Sequence, residues 1–294
     1  MMRKPSTGMI AGVAGVLFLT TLAAAQSAQD KAPRSPWKYY PDEVRANAGP
    51  GGPAPKRDLT GTWAGASSGA DTPRGRGAAP PPFTPLGKQL NDKILPLGIY
   101  SPAGTNDPHV RYCDPLGFPR NMNEQLRGMT ITTLPDRTFV LLMFMNIWRE
   151  VWMDGRTLPT NVGARGRDAH DPTYNGYSVG RWEDDYTFVV ETTGMAPETW
   201  VARSGYPHSV EARVQERFHR DSKNDLTLTM TMDDPKLYTR TFFLGEDHFR
   251  WIPNQNLYDF TCIPSSVQQY IKEMGDPAGS DPDAALRQQQ RQPN

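Results

Sequence analysis

The chain has 294 residues, 37% of them hydrophobic, and its 32 Lys and Arg balance 32 Asp and Glu. That balance, with no dense basic run, excludes a phosphate-tracking stripe, so nucleic acid is not an expected partner. No uncharged apolar stretch reaches the roughly 20 residues a membrane-crossing helix needs, so no stable membrane insertion is expected.

Residues 1–25 have the three zones of a cleavable secretory signal: Arg3 and Lys4, an uncharged stretch from Gly8 to Leu22, then Ala23, Ala24 and Ala25 before Gln26. The expected product is periplasmic or secreted, with no cysteine near the cleavage region to carry a lipid. Residues 26–57 are rich in Pro, Gly, Ala and Lys and read as a flexible segment. Asp58–Trp63 reads as a first strand, and Gly65–Pro82 as another loop.

One domain is expected over 58–275, with helix confined to Pro85–Ile94 and Ser265–Met274 and a disordered polar tail over 276–294. Its strands are Ile131–Leu134, Arg137–Met153, Tyr177–Trp182, Thr187–Thr193, Ser209–Arg220, Asp225–Asp233, Tyr238–Leu244 and Phe249–Leu257, rich in β-branched and aromatic residues. Leu226, Leu228, Met230 and Met232 interleave with Thr227, Thr229 and Thr231, the period of a sheet with one wet face. Glu183-Asp184-Asp185 and Ser222-Lys223-Asn224 read as hairpin loops. Short links between successive strands predict an all-β, mainly antiparallel fold, and closure into a barrel or strongly curved meander would remove its edges. The two cysteines, Cys113 and Cys262, are expected to pair as a disulfide in an oxidising compartment.

The segment Trp182-Glu183-Asp184-Asp185-Tyr186-Thr187-Phe188-Val189-Val190-Glu191-Thr192 resembles the W-E-G-D-T-L-V-V-[DE]-T hairpin of an uncharacterised family of exported bacterial proteins. Asp58–Trp63, Cys113–Arg120, Asp154–Arg156, Pro207–Ser209, Glu216–Phe218 and Asp233–Pro235 match in the same order. Asp184 and Tyr186 depart from the pattern, as do Thr157-Leu158-Pro159 and Ile263-Pro264. The resemblance implies export and carries no assigned reaction. Gly61-Thr62-Trp63 also resembles the opening of lipocalin-like barrels.

Glu216 is the sharpest candidate for chemistry, because it alternates with Val214 and Phe218 on an apolar face. A carboxylate there needs a cation or a proton, and either state serves a functional site or a structural ion pair. Arg149, placed by parity with Phe139, Leu141, Met143, Met145 and Ile147, and Arg240, placed with Tyr238 and Phe242, are candidate partners or substrate clamps. Tyr177 and Arg181 share a face with Val179 and are further candidate contacts. His208, at the expected barrel mouth, is a candidate general acid or base, and Glu191 a candidate second carboxylate. Asp168, His170 and Asp171 crowd together, and His109 lies close to Asp107, but no metal-ligand spacing is present, so neither metal nor cofactor is expected.

These residues lead to a periplasmic enzyme using acid–base chemistry on a small organic molecule by elimination, isomerisation or hydrolysis. A lyase is one form of that expectation. The alternatives are a non-catalytic binder of small apolar or aromatic ligands and a structural envelope protein. The test between the first two is whether Glu216, His208 and an inward arginine converge on one cavity. Oligomeric state is not encoded in any of these features.

Overall fold

The computed structural model describes residues 49–68, 80–97, 104–123, 128–253 and 260–275. The expected signal, most of the N-terminal segment and the tail lie outside them. Within the described residues the strands are β1 (Gly61–Ser68), β2 (Met129–Thr133), β3 (Arg137–Leu142), β4 (Ile147–Trp152), β5 (Tyr177–Trp182), β6 (Thr187–Thr193), β7 (Arg213–Arg220), β8 (Asp225–Asp233) and β9 (Phe242–Trp251). They close in sequence order into a barrel, β9 returning to β1. Helix is sparse: α1 (Pro85–Asn91), α2 (Pro108–Tyr112), α3 (Arg120–Asn123) and α4 (Pro264–Tyr270), the last running into a π-turn over Ile271–Gly275. This is the mostly antiparallel, closed architecture that the alternating runs predict, and it is consistent with the lipocalin-like barrel that the Gly61-Thr62-Trp63 resemblance implies.

Local chemistry sets most of the boundaries. Thr84 caps α1 through its hydroxyl, which accepts from the Gly87 amide at 3.0 Å, and Pro85 opens the helix where a missing N–H costs nothing. The β5–β6 hairpin turns on Asp184, whose Oδ1 accepts from the amides of Tyr186 (2.7 Å) and Thr187 (2.6 Å). At the β7–β8 hairpin, the Ser222 hydroxyl donates to Asp225 Oδ2 at 2.6 Å.

Helix is not confined to the two expected segments, since α2 and α3 lie outside them, and β7 begins at Arg213 rather than Ser209. Other expectations also need correction. Arg137–Met153 is not one strand: a turn at Met143–Asn146 divides β3 from β4, with φ of +64° at Met145 and +51° at Asn146. Tyr238–Leu244 and Phe249–Leu257 are not two strands; β9 is continuous, with its register against β8 shifting between Met230 and Thr231 to absorb an extra residue. Part of the expected loop from Gly65 is strand, since β1 continues to Ser68. The mainly antiparallel expectation holds with one parallel step, β4 against β5, because the long 153–176 connection brings the chain back to the end where β4 starts.

That parallel step is the weak seam of the barrel. β4 and β5 pair only through Val151 with Ser178 and Trp152 with Val179, whereas β7 and β8 pair along eight positions from Arg213 to Arg220. Elsewhere the inner face is filled. Trp63, Phe188, Phe218, Leu228 and Met230 belong to one buried cluster with Phe118 and Met122. The last two come from the segment after Cys113, so the chain fills the barrel with its own side chains. A Cβ at Gly180 would meet Phe188 Cζ at 2.3 Å, so a glycine there lets the aromatic ring lie against β5.

Candidate functional site

Glu216 lies on the inner face of β7, flanked by buried Val214 and Phe218 as parity predicts, and its exposure is 0%. Its partner is Arg149 on β4, 2% exposed. Arg149 Nη1 donates to Glu216 Oε1 at 3.0 Å and Nη2 to Oε2 at 2.8 Å. Nη2 also reaches Ser178 Oγ and Thr192 Oγ1, both at 3.3 Å, and those two hydroxyls are 2.8 Å apart. The guanidinium carbon lies 3.9 Å from the centroid of the Phe118 ring. Each charge is neutralised by the other, so the pair holds both buried side chains in place.

Arg149 faces inward, but not through the parity that suggested it. Phe139 and Leu141 point outward, and Arg149 sits across the β3–β4 ladder from inward Val140. The turn at Met143–Asn146 resets the alternation, which no count along a continuous strand could register.

His208 is 2% exposed and precedes β7, but it is bound elsewhere. Its Nε2 lies 2.8 Å from Thr199 Oγ1 and its Nδ1 3.2 Å from the Ser209 carbonyl, with neither Arg149 nor Glu216 among its bonds. Asp234 anchors the same corner, accepting from the Ser209 amide (2.7 Å) and hydroxyl (2.9 Å). Burial pushes the His208 imidazole below its ordinary value, against the weaker opposing effects of the Ser209 carbonyl, Asp234 and Glu198.

The sign for stability follows. Above about pH 6.5 the ring is neutral folded or unfolded, and stability is complete; as pH falls from there through the depressed folded value, the unfolded ring takes a proton first and stability is lost. His109, also depressed mainly by burial, acts in the same sense. The thermal midpoint should therefore drop between pH 7 and 5.5, and His208→Gln should flatten that drop. Equal slopes in parent and variant would show that His208 does not contribute.

The remaining candidates divide clearly. Tyr238 is a core residue: its hydroxyl donates to the Pro207 carbonyl at 2.6 Å and its ring stacks on Phe83 at 5.3 Å, and burial raises its phenol strongly. Arg240 is exposed and lies in the turn before β9 rather than on an inner face. Arg181 and Glu191 face outward and approach each other at 3.6 Å, so Glu191 belongs to the wet face. Asp168, His170 and Asp171 form no metal-holding group among the described residues; instead His170 Nδ1 lies 3.0 Å from Asn161 Oδ1. Cys113 and Cys262 are joined, with Cα atoms 5.4 Å apart, and tie the 113–123 segment to the start of α4.

Tyr177 and Arg149 meet at a different feature, which sequence reasoning missed. Along the β4–β5 seam an open cleft of about 980 Å³ is walled by Trp148, Trp152, Tyr174 and Tyr177, with Arg149 and Ser178 also lining it. Trp148 is 61% exposed. Trp152 is held between charged groups, with the Arg137 and Arg156 guanidinium carbons 3.8 Å and 3.4 Å from its ring centroid. The Tyr177 hydroxyl donates to the Asp171 carbonyl at 2.8 Å, and its ring meets His170 edge-on. Asn175 Nδ2 reaches across to the Trp148 carbonyl at 3.3 Å. The alternating Trp148, Glu150 and Trp152 were a signal for this surface, since the period of two puts both tryptophans on the outward face of one strand.

Comparison of the chain with protein-family models, with curated proteins and with solved structures finds no match.

Proposed function

We propose that this protein is an exported, non-catalytic binder of small planar apolar or aromatic molecules, and that the β4–β5 cleft is the seat of the ligand. One observation carries the reading: Trp148, Trp152, Tyr174 and Tyr177 line one cleft of about 980 Å³, with Trp148 and Tyr174 exposed, whereas neither Glu216 nor His208 lines it. That volume is in the range of pockets that enclose drug-sized molecules. Glu216 is committed to Arg149, and His208 to Thr199 and Ser209, so these two do not face a shared space as an acid–base pair. The barrel interior, where a lipocalin would carry its ligand, is filled by Phe118, Met122 and their neighbours.

Export and kinship with the uncharacterised exported family belong to the same reading. They are supported by the Arg3–Ala25 pattern, by the hairpin motif around Trp182, and by a disulfide compatible with an oxidising compartment.

The test uses tryptophan emission. A planar aromatic probe such as 2-acetylnaphthalene should quench the parent, and Trp148→Ala should weaken binding about tenfold, the scale of one aromatic contact. Because the Trp148 ring is exposed, the variant should keep the parent's thermal midpoint to within the small range of surface substitutions. Undiminished affinity in Trp148→Ala would remove the ligand from this cleft.

A further inference from the structure

The cleft also carries a histidine whose proton is placed by its neighbours. His170 and Asn161 both line it, and both belong to the 153–176 connection, where Val162 bridges to His170 and the Gly163 amide donates to the His170 carbonyl at 2.8 Å. Asn161 Nδ2 donates to the Asp168 carbonyl. A carbonyl only accepts, so that bond orients the amide and leaves its Oδ1 to face His170 Nδ1 at 3.0 Å. Oδ1 also only accepts, so Nδ1 is the nitrogen that holds the proton. In a neutral imidazole of this tautomer the other nitrogen, Nε2, carries an acceptor lone pair.

Nε2 has no hydrogen-bond partner among the described residues, and His170 is exposed rather than sealed in the core. The two ring nitrogens point away from each other, so with Nδ1 turned to Asn161, Nε2 is the nitrogen left to an occupant of the cleft. The imidazole meets Tyr177 edge-on, 5.4 Å between centroids, which sets this acceptor next to an aromatic wall. Other polar groups along the cleft are already engaged. Arg149 is paired with Glu216 at 2.8 Å, Glu150 with Arg137 at 2.7 Å, and Arg156 with Asp154 at 2.6 Å, while the Tyr177 hydroxyl donates to the Asp171 carbonyl.

We infer that the ligand is a phenol, its ring against Tyr177 and its hydroxyl donating to His170 Nε2. This rests on the cleft being the ligand seat. An aryl ether or ketone of the same size brings only lone pairs, which would face the lone pair of Nε2 and lose their own water without return. Asn161 is then a positioning residue, holding the proton on Nδ1 so that Nε2 stays an acceptor.

Two probes of one ring system test this, each titrated into the intact protein by calorimetry. 2-Naphthol carries the donor, and 2-methoxynaphthalene keeps the oxygen without its hydrogen. The naphthol should bind about fivefold tighter, the net worth of one hydrogen bond. Equal affinities, or tighter binding of the ether, would overturn the phenol. Failure of both to bind would instead overturn the cleft as a ligand seat. His170→Phe, which keeps a ring beside Tyr177, should weaken the naphthol to the level of the ether and leave the ether unchanged; a preference that survives would overturn His170 as the acceptor. Asn161→Leu should shrink the same preference with the ether again unchanged, whereas equal weakening of both probes would reduce Asn161 to a structural role. In the parent, independently of any variant, the nitrogen-15 resonance of His170 Nε2 should move on adding the naphthol and not the ether, and a resonance that ignores both while they bind would overturn the contact.

Discussion

Glu216→Gln should destabilise the protein by about 3–5 kcal/mol, the cost of leaving one member of a buried ion pair without its counter-charge. For a domain of this size that is a fall in thermal midpoint on the order of 10 °C. The amide is nearly the shape of the carboxylate, so cavity formation does not account for the loss. Arg149 would keep its charge inside a core where Phe118 covers one face and Ser178 and Thr192 offer only hydroxyl dipoles. The paired replacement Arg149→Met with Glu216→Leu should restore much of the stability, because it removes both desolvation costs together. Thermal and urea unfolding of the single and double variants checks this. A glutamine variant as stable as the parent would mean that the charge pair is not what holds β4 against β7.

Loss of the Cys113–Cys262 bond is the second large effect. The cysteines are 149 residues apart in sequence. Closing a loop of that length lowers the entropy of the unfolded chain by up to about 5 kcal/mol in the chain-entropy model. Cys113→Ser with Cys262→Ser should therefore unfold at markedly lower denaturant. The effect should also be local, loosening α2 and α4, whose link includes Gln268 Nε2 donating to the Arg111 carbonyl at 2.9 Å. Protein taken from a periplasmic extract gives a paired measurement. Its intact mass should correspond to a chain begun after Ala25 or Ala28, and alkylation without reduction should label neither cysteine. A start at Met1 would end the export proposal, and two labelled cysteines would show the bond unformed in that compartment.

The sequence by itself determined the strand-rich class and most of the alternation. In Asp225–Asp233 the period of two is unbroken, so Leu226, Leu228, Met230 and Met232 had to share the inner face once one of them was buried. The same argument placed Glu216 inside, because Val214 and Phe218 flank it in a strand with no irregularity. Burying a carboxylate without a cation is too costly to persist, so an ionic or protonated partner was implied before its identity was known. The hairpin at Asp184 was readable for a similar reason: its turn chemistry is local, carried by one side chain and the two amides that follow.

Only the tertiary structure decided where the chain departs from local rules. The Met143–Asn146 turn interrupts an apolar run that has no glycine or proline, and it reverses which residues of Arg137–Met153 face inward. Its closure depends on a distant segment, since the Met145 amide donates to the Phe260 carbonyl at 2.6 Å. Parity is a short-range property and could not register that contact. Nor could it distinguish Tyr177, which borders the cleft, from Tyr238, which is sealed in the core, since both are aromatic residues beside apparent strands. The cleft arises because β5 returns parallel to β4 and pairs with it at only two positions, so the space between them is set by the path of the 153–176 connection rather than by any single residue along it.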